Sequence, residues 1–129
     1  MKILILVLGA ALAGWLFMRS RPTAGLTPAE IARRVAAGEA ILIDVREPDE
    51  WASGVAAPAR LLPLSDLRGG RRQWQAVLEK NRDKELIFYC RSGNRSGQAA
   101  ALLAGEGFRT ANGGSFARWR NAGQPVRDP

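Results

Sequence analysis

The sequence predicts an α/β fold in which helices flank a central, mainly parallel sheet. Two observations carry that expectation. Two short apolar runs, "AILIDV" at residues 40–45 and "ELIFYC" at residues 85–90, have no polar alternation and read as strands buried on both faces. Around and between them lie segments with helical spacing and helix punctuation, so that strands alternate with helices as crossover connections require.

Taken in chain order, "LTPAEIARRVAAGEA" predicts the first helix of the soluble part. Thr27 suits the N-cap, Pro28 the first helical position, Glu30 a capping box and Gly38 a left-handed stop. "EPDEWASG" predicts a short helix closed by Gly54, and "RLLPL" a short strand ended by Pro63. "RRQWQAVLEKN" is amphipathic, with Trp74, Val77 and Leu78 on its apolar side. After the second strand, "SGQAAALLAGEG" predicts a helix, "FRTA" a last short strand and "SFARWRNAG" a closing helix. Ligands of such sheets bind beyond the carboxyl ends of the strands. Asp44, Arg46, Cys90 and Arg91 all fall at such ends. Trp119 and Arg120 lie in a segment expected to rim the same crevice, although Trp119 reads more simply as core.

The first 19 residues are of another kind. Residues 3–18 are uninterrupted apolar or glycine residues between Lys2 and Arg19. As a helix this run spans about 24 Å, short of a ~30 Å hydrocarbon core unless Lys2 and Arg19 snorkel. It predicts an uncleaved transmembrane anchor over residues 1–19, with an uncleaved or cleaved signal as the alternative; residues 20–25 form a polar linker and residues 26–129 the soluble domain. The excess of arginines after the span predicts a single-pass membrane protein with its domain in the cytoplasm, a periplasmic domain being the other possibility.

The chain carries 19 Lys and Arg against 12 Asp and Glu, a formal charge of +7. The positives are scattered, without the aromatic interleaving or helical motif of a nucleic-acid surface, so no nucleic-acid partner is expected. With one cysteine and no histidine, an internal disulfide is impossible and the usual metal-ligand sets cannot be assembled, so no metal and no cofactor is expected.

That single cysteine begins "CRSGNRS", a polar turn between an apolar strand and a helix. Backbone N–H groups around residues 93–96 and the positive end of the following helix can point at the Cys90 sulfur, and Arg91 and Arg95 add charge. Each effect favours thiolate over thiol, so no imidazole base is required. The plainer reading, a buried structural cysteine, leaves the Arg-flanked, glycine-bearing turn unexplained.

The pieces "LTPAEIARRVAAGEAILIDVREPDEWASG", "IFYCRSGNRSGQAAALLAGEGF" and "NGGSFARWRNAGQPV" together resemble the single-domain rhodanese-like sulfurtransferases over residues 26–126. The resemblance implies a three-layer α/β fold with a central parallel sheet. Cys90 would be the nucleophile that carries sulfane sulfur as a persulfide. Arg91, Ser92, Gly93, Asn94, Arg95 and Ser96 would form the loop that binds it, with Asp44 and Arg46 as supporting residues. The implied substrates are a small anionic donor such as thiosulfate, which Arg91 and Arg95 would attract, and a thiol or cyanide acceptor. One segment departs from the pattern: "GVAAPA" stands where the family usually has Gly-His-Ile-x-Gly-Ala, so Val55 replaces a histidine and Pro58 a glycine. That leaves open the local packing and any transfer step that used the histidine. A cysteine phosphatase loop reads Cys-x5-Arg, whereas Cys90 and Arg95 are one residue closer together and no good general acid accompanies them. A non-catalytic, membrane-tethered docking module of the same fold is the other reading, and such modules often lack the cysteine retained here.

Overall fold

A computed structural model describes residues 25–129. The predicted membrane segment, residues 3–18, lies outside the described residues; among those described, no helix is long and apolar enough to cross a membrane.

The elements in order are α1 (Pro28–Ala36), β1 (Ala40–Asp44), α2 (Pro48–Trp51), β2 (Val55–Ala56), β3 (Arg60–Leu61), α3 (Leu64–Arg68), α4 (Gln75–Lys80), β4 (Glu85–Cys90), α5 (Asn94–Gly105), β5 (Thr110–Ser115), α6 (Phe116–Asn121) and β6 (Val126–Arg127). Strands β3, β1, β4 and β5 form a four-stranded sheet in that order, every pair parallel. β2 and β6 form a separate two-residue antiparallel ladder.

The period of two along a strand divides the core between the two faces of this sheet. Ile41, Ile43, Leu86, Phe88 and Cys90 pack on one side with Leu67, Trp74, Leu78 and Leu103 from α3, α5 and the α4 segment. Leu42, Ile87 and Tyr89 pack on the other with Ile31 of α1 and Phe116 and Trp119 of α6. This is the three-layer arrangement, and both apolar runs are buried on both faces because helices cover both. Trp74 is fully buried and donates its indole N–H to the Pro63 carbonyl at 2.9 Å. Trp119 is likewise core, its indole bonded to the Pro125 carbonyl.

Several boundaries differ from expectation for local reasons. Thr27 caps α1 by accepting from the Glu30 amide, but the Glu30 carboxylate bonds Arg33 and Arg34 instead of closing a capping box. Arg71 adopts φ 56°, and α4 begins only at Gln75. Pro63, expected to end a strand, precedes α3, a helix too short to leave a periodic signal. The ladder of β2 with β6 was not expected either; Val55, the residue in place of the family histidine, is fully buried within it. β5 runs on through "NGGS", past the expected "FRTA", with a register shift opposite Phe88 and Tyr89. The glycine makes that possible: a Cβ on Gly113 would lie 3.0 Å from both Ile87 Cγ2 and the Phe88 carbonyl oxygen. Gly113→Ala should therefore destabilise the fold by about 1–3 kcal/mol, the usual range for overpacking. Denaturant titration measures this, and an unchanged midpoint would show that β5 shifts freely.

Candidate active site

The site forms where β4 ends and α5 begins. β4 is an interior strand, so Cys90, its last residue, has no exposed surface. The chain must then turn quickly upward into α5. Gly93 makes the turn with φ 91°, a left-handed conformation that side chains with a Cβ resist. The helix starts at Asn94, two residues earlier than "SGQAAALL" suggested, and this brings its first-turn amides close to the sulfur.

The Cys90 Sγ accepts from the Gly93 amide at 3.0 Å, from the Ser96 amide at 3.5 Å and from the Ser96 hydroxyl at 3.4 Å. Burial pushes the thiol pKa up. The Ser96 hydroxyl and the amides of Ser96, Ser92 and Gly93 pull it down by more, and the net direction is down. The sulfur thus lies beneath the loop, within a cluster of hydrogen-bond donors.

A residue that the sequence did not single out holds this loop. Asn112, on β5, donates from Nδ2 to the Gly93 carbonyl at 2.8 Å, while its Oδ1 accepts from the Gly114 amide at 3.0 Å. Those bonds fix the orientation of its amide, so Oδ1 is an acceptor for the Ser96 hydroxyl at 2.8 Å. The hydroxyl has one proton and two acceptors. Those acceptors are the Asn112 Oδ1 at 2.8 Å and the Cys90 sulfur at 3.4 Å. Only the "NGG" before the closing helix hinted at this, and a lone asparagine in a glycine-rich strand has no periodic signal.

Arg95 does not stand free beside the sulfur as an anion attractor. Its guanidinium forms a two-pronged pair with Glu50 of α2, at 2.5 and 2.7 Å. Arg95 in turn holds the Glu50 carboxyl down at about 2, which keeps the pair ionised through the neutral range. Glu50 also accepts from the Glu47 amide, so the pair ties α2 to the start of α5. Glu50 is the second residue missed by sequence reasoning; its place in the first turn of a short helix gave it an ordinary capping role.

Among the described residues, Asp44 and Arg46 form no hydrogen bond to the cysteine loop. They form a buried ion pair at 2.7 Å, and Arg46 also donates to the carbonyls of Gly54 at 2.8 Å and Glu50 at 3.3 Å. Its guanidinium carbon lies 4.5 Å from the centre of the Phe116 ring. Their support is therefore one step removed: they shape the 46–54 turn, which presents Glu50 to Arg95. Ser92 and Asn94 are exposed, and the Ser92 hydroxyl accepts weakly from the Asn94 amide at 3.4 Å. Arg91 is exposed and, among the described residues, forms no ion pair. With Arg46, Glu50, Ser53, Phe116 and Arg120 it lines a cavity of about 390 Å³ at the carboxyl ends of the strands.

Comparison with known proteins gives concordant results. The rhodanese-like domain family matches residues 27–122. The chain is 30% identical over 112 residues to human thiosulfate:glutathione sulfurtransferase, covering 79% of this chain and 96% of that protein. It is 35% identical over 95 residues to a sulfurtransferase of Allochromatium vinosum, covering 70% of this chain and 81% of the relative. Among solved structures, a rhodanese-related protein from Thermoplasma volcanium superposes with a TM-score of 0.67 at 27% identity, covering 81% of this chain and 98% of that one.

Two outcomes follow from this geometry. Ser96→Ala removes one donor to the thiolate, so the pH midpoint of Cys90 alkylation by iodoacetamide should rise toward the ordinary thiol value of ~8.5. An unmoved midpoint would leave the amides as the sole stabilisers. Since the folded-state pKa lies below the unfolded one, the thiolate stabilises the fold above the unfolded value, and this contribution fades as pH falls through the folded value. Arg95→Lys keeps the charge but loses the two-pronged geometry. It should slow reaction with anionic and neutral sulfur donors alike, and so should Arg95→Ala; a loss confined to the anionic donor would show Arg95 to be a direct anion site.

Proposed function

The chain belongs to the rhodanese-like domain family, and on that premise we propose that it is a sulfurtransferase working through a Cys90 persulfide, with thiosulfate or a similar small anion as donor. The observation that carries this reading is the set of three donors converging on the only cysteine of the chain.

The chemistry follows from those contacts. The Cys90 thiolate attacks the outer sulfur of the donor, the donor's S–S bond breaks, and sulfite leaves with the electron pair. A Cys90 persulfide remains, and the amides and hydroxyl around Sγ delocalise its negative charge as an oxyanion hole does for oxygen. A thiophilic acceptor, cyanide or a thiolate, then attacks the terminal sulfur, and the electron pair of the broken S–S bond returns to Cys90. Each half-reaction starts and ends with anionic sulfur, so neither requires a general base, and a chain without histidine suffices. The cradle suits a sulfur atom better than a phosphoryl group, because the guanidinium that would complete a phosphate ring is paired with Glu50. We further propose that residues 3–18 tether the domain to a membrane, with the domain on the cytoplasmic side.

Intact-mass measurement of the full chain after thiosulfate treatment tests the central reading. The expected result is a gain of one sulfur atom on the wild type, released by cyanide as thiocyanate, and none on Cys90→Ser. A wild type that neither gains sulfur nor yields thiocyanate would favour the docking-module reading instead.

A further inference from the structure

Resting on the sulfurtransferase reading for its persulfide state, we propose that Asn112 is a positioning residue for the reaction. It holds the Ser96 hydroxyl proton away from the sulfur while that sulfur is a thiol or the inner atom of a persulfide, and yields the proton when the thiolate forms.

The surroundings of one hydroxyl carry this. Ser96 is fully buried, and its Oγ lies 2.8 Å from Asn112 Oδ1 and 3.4 Å from Cys90 Sγ. A single hydroxyl proton serves one of these acceptors at a time. The Asn112 amide cannot turn round and offer a donor instead. Its Nδ2 is given to the Gly93 carbonyl at 2.8 Å, and its Oδ1 takes the Gly114 amide at 3.0 Å. With the Ser96 proton on the Asn112 side, Oγ is left as an acceptor for the Cys90 S–H, and the bonds run in one direction outward from the sulfur. Loss of the thiol proton reverses the first link. The sulfur becomes a charged acceptor, charge-assisted bonds are roughly twice as strong as neutral ones, and the hydroxyl turns to it. Release costs Asn112 little, because Oδ1 keeps the Gly114 amide and is not left unpaired.

Loading uses the same movement. The thiolate attacks the outer sulfur of the donor, the donor's S–S bond breaks, and sulfite leaves with the electron pair. The negative charge then rests on the terminal sulfur, one S–S bond or about 2 Å beyond Sγ, and the hydroxyl returns to Asn112. Asn112 thereby favours thiol and persulfide over the free thiolate, and keeps the thiolate from being held so well that it attacks slowly. Charged groups on the elements beside the sulfur are Arg91 in the loop, Arg95 on α5, Glu47 and Glu50 at α2, and the Asp44–Arg46 pair at the end of β1. Burial pushes the Tyr89 phenol well above its ordinary value. β5 brings no titratable side chain, and the chain has no histidine, so none of these neighbours is of a type that titrates beside a thiol.

The test is a double-mutant cycle on the full chain: wild type, Asn112→Ala, Ser96→Ala and the double variant, with the pH midpoint of Cys90 alkylation by iodoacetamide read in each. Any loosening of the Gly93 turn by Asn112→Ala is common to both backgrounds and cancels, whereas the part played by the hydroxyl does not. Asn112→Ala should lower the midpoint by about half to one pH unit more with the Ser96 hydroxyl present than without it, a roughly threefold to tenfold change in acidity. Asn112→Asp keeps an acceptor for the Gly114 amide and grips the hydroxyl harder. It should therefore raise the midpoint more with the hydroxyl present than without it, a coupling of opposite sign. Equal shifts in the two backgrounds, or couplings of the same sign for both replacements, would overturn this inference alone and leave Asn112 as a clamp on the loop. Mass measurement of the thiosulfate-treated wild type tests the wider reading separately: a Cys90 that never gains sulfur overturns the sulfurtransferase reading, and the persulfide state of this inference with it.

Discussion

Everything in this domain that bears on chemistry depends on placing one buried sulfur at the N-terminus of a helix. A sulfur at the end of an interior strand would ordinarily be a neutral, apolar core atom, because burial penalises the thiolate. Here the strand ends so close to the helix that Gly93 and the first turn of α5 supply donors before any hydrocarbon can close over the sulfur. Hydrogen bonding outweighs burial, and the thiol pKa is held below its ordinary value. Without that sharp turn the same residues would make a well-packed and unreactive core.

The surrounding ion pairs serve to hold the turn. Asp44 fixes Arg46, Arg46 fixes the turn that follows β1, and that turn delivers Glu50 to Arg95 in the first turn of α5. From the other side, Asn112 secures the Gly93 carbonyl and the Ser96 hydroxyl. The loop is thus clamped from β1 and from β5, the two neighbours of the strand that carries the cysteine. The clamping also sorts the cations. Arg46 and Arg95, which shape the site, have their charges matched, whereas Arg91 and Arg120, which line the cavity, have no carboxylate partner among the described residues.

The sequence made the layered fold legible because both interior strands are continuous apolar runs and the main helices are punctuated at their ends. It showed Cys90 and its loop because a lone cysteine in a glycine- and arginine-rich turn has few structural explanations. It could not show what depends on distant side chains meeting. Arg95 looked like a free charge because its partner, Glu50, lies 45 residues away. Asn112 is 16 residues from Ser96 and belongs to a strand whose glycines weaken its β signature. The β2–β6 ladder joins Val55–Ala56 to Val126–Arg127, two-residue segments far apart in the chain and too short for any periodicity to register. Val55, a departure from the family pattern that put local packing in doubt, is simply a buried residue of that ladder.

The claim at the centre is that the Gly93 and Ser96 amides bond an anionic sulfur. Recording the ¹⁵N–¹H resonances of those two amides against pH, in the wild type and in Cys90→Ser, tests it most directly. The account predicts that both resonances titrate together, with a midpoint below the ordinary thiol value of ~8.5, and that Cys90→Ser abolishes the transition. Amides that stay still while the thiol ionises, or a shared midpoint at or above that value, would contradict it.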